Sequence, residues 1–157
     1  MAKFIIIRGT KDSGKTTTAG LVYIELLKIA ETKHSFNGKD VETNSLEYNK
    51  ENGNLIDFKV ILTIKSKKIG IVSAGDVANW LEKDIDNFIK ENLDIIICCT
   101  RSRNVKGSGQ RMIIEKFSIN NQILKEVWSK RSPIKDDKEI IKIQSVLDIV
   151  KTVNVNI

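Results

Sequence analysis

Two uninterrupted apolar runs, "FIII" at Phe4–Ile7 and "IIICC" at Ile95–Cys99, interrupt an otherwise mixed chain. Runs this short, bounded by polar residues, predict strands buried on both faces. Between and after them the apolar spacing becomes helical. Thr16 to about Ala30 reads as a helix, with Leu21, Ile24, Leu27 and Ile29 among its apolar positions. A polar stretch from Glu31 to Gly53 has little periodicity and predicts a long loop, of the kind that serves function or lacks order. Alternation then returns. Val60, Leu62 and Ile64 face one way, "SKK" turns, and Ile69 and Ile71 answer, which predicts a hairpin.

The clearest helix follows, with Val77, Trp80, Leu81, Ile85, Phe88 and Ile89 at helical spacing and Glu82, Lys83 and Asp86 opposite. After the second buried strand come a short helix near Met112–Phe117, an edge strand in "ILKEVWSK", and a last helix from Asp137 to about Val153. Ile140, Ile143, Leu147 and Val150 form the apolar stripe of that helix. The order β-α-β-β-α-β-α-β-α predicts the α/β class. The specific expectation is a three-layer α-β-α sandwich around a mixed, mostly parallel sheet with one antiparallel hairpin. No repeat or linker divides the chain, so a single domain over residues 1–157 is expected.

Composition changes this picture little. A chain of 157 residues, 41% hydrophobic and 29% charged, can bury an ordinary soluble core. No apolar run approaches the span of a bilayer, and Phe4–Ile7 is too short for a signal peptide, so a cytoplasmic protein with no membrane partner is expected. Cys98 and Cys99 are neighbours in a strand, pointing to opposite faces as core thiols. His34, the one histidine, falls in the polar loop and is not expected to be catalytic. The net charge of +6 suits phosphate-rich ligands and nucleic acids alike.

The first apolar run leads into chemistry. Gly9-Thr10-Lys11-Asp12-Ser13-Gly14-Lys15-Thr16 fits G-x-x-x-x-G-K-[ST], between a predicted strand and a predicted helix. Glycines let consecutive backbone N–H groups curl into an anion nest. The helix that follows aims its free N–H groups at the same point. Through this Walker A motif the chain resembles the P-loop NTPase superfamily over residues 4 to about 30. The resemblance implies that residues 9–17, including Thr17, bind a nucleoside triphosphate. Lys15 would meet the β- and γ-phosphates and Thr16 would place its hydroxyl on Mg²⁺. The partitioning and metal-insertase ATPases carry a second lysine five places before the motif lysine, where this chain has Thr10. A guanine-reading N-K-x-D is missing, since "NKEN" at 49–52 ends in Asn52. ATP is therefore expected in preference to GTP.

A metal carboxylate is expected at the carboxyl end of a strand. Asp76, after "IGIVSAG", is at the correct end, although it also suits the N-cap of the next helix, and Ser73 with Asp76 has capping-box spacing. Asp94 begins its strand and lies at the wrong end. Residues 100–111 ("TRSRNVKGSGQR") carry Arg101, Arg103, Lys106 and Arg111 without an acid. Arg101, nearest the strand end, is the candidate for stabilising transition-state charge or clamping a second substrate. The alternative for this loop is a solvated basic surface without a ligand, and a further reading gives the same segment, with "SKRSPIK", to nucleic acid binding. Asp12 is either a surface residue or a contact to water or an acceptor. Two readings remain open: Mg²⁺-dependent phosphoryl chemistry on ATP, as an NTPase or small kinase, and a non-catalytic nucleotide switch acting on a protein partner.

Overall fold

The computed structural model of the protein describes residues 2–9, 14–101, 108–129 and 135–157, the side chains of 135–139 and 141 excepted. Its elements follow as β1 (Lys3–Gly9), α1 (Lys15–Leu27), β2 (His34–Phe36), β3 (Lys39–Val41), β4 (Lys59–Ile64) and β5 (Lys67–Val72). Then come α2 (Ala78–Lys90), β6 (Ile95–Arg101), α3 (Gly109–Met112), β7 (Gln122–Ser129) and α4 (Lys135–Val155). A π-helical turn, Ile113–Phe117, continues α3. The α/β class is as expected: one seven-stranded mixed sheet in the order β3-β2-β4-β5-β6-β1-β7.

β1 pairs in parallel with both β6 and β7, and β6 pairs in parallel with β5. β4 runs antiparallel to β5, and β2 antiparallel to β4. The carboxyl ends of β1, β5, β6 and β7 therefore share one end of the sheet with the amino end of β4. The direction of β4 decides the composition of the site below.

Alternation along β1 and β6 sends side chains into two separate cores. Ile5, Ile7, Ile97 and Cys99 pack with Val22, Tyr23 and Leu26 of α1 and Val146, Ile149 and Val153 of α4. Phe4, Ile6, Ile96 and Cys98 pack with Leu81, Ile85 and Phe88 of α2 and with Ile113 and Phe117. Phe4 through Ile7 are all fully buried, each worth about 1.5–3 kcal/mol of transfer free energy. The two cysteines do point to opposite faces. Burial pushes the Cys98 thiol up to about 12 and raises that of Cys99 well above its ordinary value.

Four sequence expectations are corrected. The stretch from Glu31 to Gly53 is not all loop, because β2 and β3 form a hairpin on the sheet's far edge. Its turn is Asn37-Gly38, both at positive φ (50° and 82°), the two-residue geometry that Asn-Gly favours. His34 is accordingly a buried strand residue, not a loop residue. Its Nδ1 lies 2.7 Å from the Thr32 carbonyl oxygen and so carries the proton, leaving Nε2 to accept from the Tyr23 hydroxyl at 2.7 Å. That hydroxyl in turn accepts from the Ser45 N–H, tying α1 to the segment after the hairpin.

In α4 most of the predicted stripe is on the wrong side: Ile140, Ile143 and Leu147 are 54–60% exposed, Val150 packs half-buried against the core, and the row Val146, Ile149, Val153 is buried. Both rows satisfy helical spacing, and only contact with α1 and β7 chooses between them. In α2, likewise, Val77 and Trp80 remain exposed while Leu81, Ile85 and Phe88 fill the core. The expected edge strand is there as β7, described as far as Ser129, and Lys125 within it suits an edge that must not pair further.

Candidate functional site

β1 delivers the chain to the shared sheet end at Gly9, and α1 resumes from Gly14. Thr10, Lys11, Asp12 and Ser13, all expected to bind phosphate, lie outside the described residues. Gly14 takes the left-handed conformation (φ 92°, ψ 18°), which a side chain would disfavour. Among the described residues no side chain caps α1, and its first turn holds no acid. Its leading N–H groups and positive dipole end thus face the cavity side with no acid from the helix's own first turn. Lys15 stands at that end, where a cation opposes the dipole, so helix stability does not explain it. It is nonetheless 6% exposed, with its Nζ donating to the Gly9 carbonyl oxygen at 3.0 Å. The ammonium thus spans the two ends of the glycine-rich segment.

Thr16, one residue on, donates its hydroxyl to Asp57 Oδ1 at 2.9 Å. Ser73, just after β5, donates to the same oxygen at 3.1 Å, and its Oγ accepts the Phe58 N–H at 2.8 Å. Asp57 was not among the sequence candidates. It precedes a strand, the position on which Asp94 was set aside, but β4 is antiparallel, so its amino end meets the carboxyl ends of its neighbours. Lys59 lies opposite Val72, which puts residues 57 and 73 together. The hairpin expected of β4 and β5 already implied this, because it sets β4 antiparallel to the strand that leads to Asp76. Asp94 lies at the opposite end of the sheet, as expected, accepting the Lys68 N–H at 2.8 Å.

Asp76 is brought to the site and does not cap α2. The N-cap is Val77, with no side-chain cap, and Ser73 is engaged with Asp57 and Phe58 rather than in a capping box. Asp76 Oδ1 instead lies 3.3 Å from Arg101 Nε and 3.7 Å from Lys15 Nζ. Asp76 is half exposed, so these pairs position more than they stabilise. The turn before it is tight because Gly75 lies directly on the end of β6, where any Cβ would overlap the Cys99 carbonyl oxygen. Cys99 in turn lies beneath α1, its Sγ 3.6 Å from the Lys15 carbonyl oxygen.

These residues surround a cavity of about 350 Å³, bounded by Gly14, Lys15, Thr16 and Thr17 on one side and Asp57, Ser73 and Asp76 on the other. Asn54 and Leu55 close it from the segment after the hairpin, and Lys142 reaches it from α4. Lys142 was also missed, lying 127 residues from Lys15 in a helix read only for its apolar stripe. Of the basic residues in 100–111, Arg101 pairs with Asp76 and Arg111 with Glu115 at 2.8 Å. Arg103 and Lys106 lie outside the described residues, as does most of "SKRSPIK". Among the described residues no three His, Cys, Asp or Glu side chains converge as a metal cluster.

No protein-family model matches this chain, and no curated protein or solved structure is significantly similar to it.

Proposed function

We propose that this chain is a Mg²⁺-dependent, ATP-binding protein of the P-loop kind, a three-layer α-β-α sandwich that carries out phosphoryl chemistry by hydrolysis or transfer to an acceptor. The observation that carries the reading is Lys15. It is a nearly buried cation at a helix N-terminus, folded back across the glycine-rich segment, beside a polar cavity with two carboxylates. A phosphate group answers the helix end and the ammonium, the left-handed glycine leaves it room, and the two carboxylates call for a cation beside it.

Mg²⁺ suits the oxygens present. Thr16 and Asp57 offer a hydroxyl and a carboxylate 2.9 Å apart, and Mg²⁺ sites of this kind take one or two carboxylates and complete themselves with phosphate and water. When bound, the ion neutralises β- and γ-phosphate oxygens. Ser73 orients Asp57, and Thr16 fixes the distance between that carboxylate and the helix end. Asp76, tied to Arg101 and Lys15, is the second carboxylate of the site. Arg101 holds it from the outside and is the group that answers charge on an acceptor or leaving phosphate. The preference for ATP rests on the missing guanine-reading sequence.

Binding of a non-hydrolysable ATP analogue, followed calorimetrically with Mg²⁺, tests the proposal. The wild-type protein binds it, and Lys15→Ala loses binding and turnover while keeping its circular dichroism spectrum. Undiminished ATP hydrolysis by that variant would refute the assignment.

A nucleotide-dependent switch is the second reading, and one observation favours it. Asn54, Leu55 and Asp57 all border the cavity, while Leu55 packs onto Gly20 of α1, so a ligand would bear on the whole segment between β3 and β4. Steady release of ADP and phosphate from purified protein, lost in Asp76→Ala, would eliminate a purely non-catalytic switch.

A further inference from the structure

We infer that Lys142 is a second cation for the bound polyphosphate, delivered by α4 and not by the glycine-rich segment; this rests on the ATP-binding reading above. Three observations carry it. Lys142 borders the same cavity as Gly14, Lys15 and Thr16. A methyl group placed on Gly14 would lie 3.4 Å from Lys142 Cε and 3.5 Å from its Nζ, so the ammonium rests over the backbone that opens α1. And position 142 is one turn before Val146, which with Ile149 and Val153 is buried against α1 and the sheet. Residues four apart share a helix face, so the packing that anchors α4 also aims Lys142 at the site.

Charge gives the placement its meaning. Two carboxylates, Asp57 and Asp76, border the cavity, and Lys15 is already shared between the Gly9 carbonyl oxygen and Asp76. A triphosphate brings further negative charge into this space, and Lys15, Arg101 and one Mg²⁺ together leave it under-compensated. Lys142 supplies the compensation as a compact ammonium, which binds phosphate as a point charge. Because α4 packs on α1, ligand binding would also pin the first half of α4 to the start of α1.

The experiment measures affinity for the non-hydrolysable ATP analogue with Mg²⁺, and for inorganic tripolyphosphate, in wild type, Lys142→Gln and Lys142→Arg. Amide hydrogen exchange of α4 is recorded with and without the analogue. The expected result is a loss of roughly ten- to a hundredfold in Lys142→Gln for both ligands, the size of one charge-assisted hydrogen bond. Lys142→Arg stays within about threefold of wild type. Exchange in the first half of α4 slows with ligand in wild type and not in Lys142→Gln, while the thermal midpoint without ligand is the same for all three. Wild-type binding with unchanged affinity in Lys142→Gln overturns the role of Lys142 and leaves the ATP-binding reading intact. A wild-type protein that binds neither ligand overturns both.

Discussion

The hydroxyl of Thr16 and the carboxylate of Asp57 meet at 2.9 Å across 41 residues of sequence. One belongs to the first turn of α1, the other to the residue pair that leads into β4. Their contact turns a glycine-rich turn into a site with an acidic wall. It also shows a carboxylate bonded directly to the motif threonine, beside Asp76, the residue expected from sequence as the metal carboxylate.

Asp57→Asn tests that relationship. The amide keeps shape and one hydrogen bond to Thr16 or Ser73 but removes the charge. Binding of the ATP analogue in the presence of a chelator is expected to match wild type, whereas Mg²⁺-dependent turnover falls on the order of a hundredfold. A titration of turnover against Mg²⁺ checks it, and Asp57→Asn with a wild-type Mg²⁺ dependence would transfer the role to Asp76.

Gly75 is needed for room. A Cβ at this position would overlap the backbone carbonyl oxygen of Cys99, which cannot rotate away as a side chain would. Gly75→Ala is expected to cost about 3 kcal/mol by overpacking, seen as a lower urea midpoint. Relief of the clash would displace Asp76, so ligand affinity should fall as well. A variant as stable as wild type would show that the turn from Ser73 to Asp76 is free to move.

The buried thiols set a pH dependence. Cys98 is raised from 9.0 to about 12 by burial, so between those limits the folded chain keeps a proton that the unfolded chain has lost. More protons in the folded state means stability is fully present below pH 9 and declines as pH rises towards 12, by at most about 1.4 kcal/mol per pH unit from this group. Urea midpoints from pH 8 upward check the sign, with Cys98→Ala expected to flatten the decline. A thiol reagent at neutral pH should label neither cysteine until the chain unfolds.

Much of this protein is local. The strand Phe4–Ile7, the breaks at Gly9 and Gly14, and the helix beginning at Lys15 are legible because each depends on neighbours within a few residues: an unbroken apolar run, missing Cβ atoms, a helical period. The same holds for β6, for the β4–β5 hairpin and for the opposed cysteines. The Asn37-Gly38 turn was equally local, and reading it would have recovered β2 and β3, with His34 on a strand.

What tertiary structure decided is different in kind. The β4–β5 hairpin already puts Asp57 at the same sheet end as Asp76, but that it meets Thr16 depends on where α1 sits on the sheet, which alternation along a strand cannot encode. Which apolar row of α4 is buried depends on the helix it meets, since Ile140–Leu147 and Val146–Val153 have the same period. Lys142 joins the cavity only because that choice fell as it did. Sequence by itself determined where the glycine-rich turn and the hairpin beside it form; the seating of α1 and the rotation of α4 determined that Asp57 meets Thr16 and that Lys142 borders the same cavity.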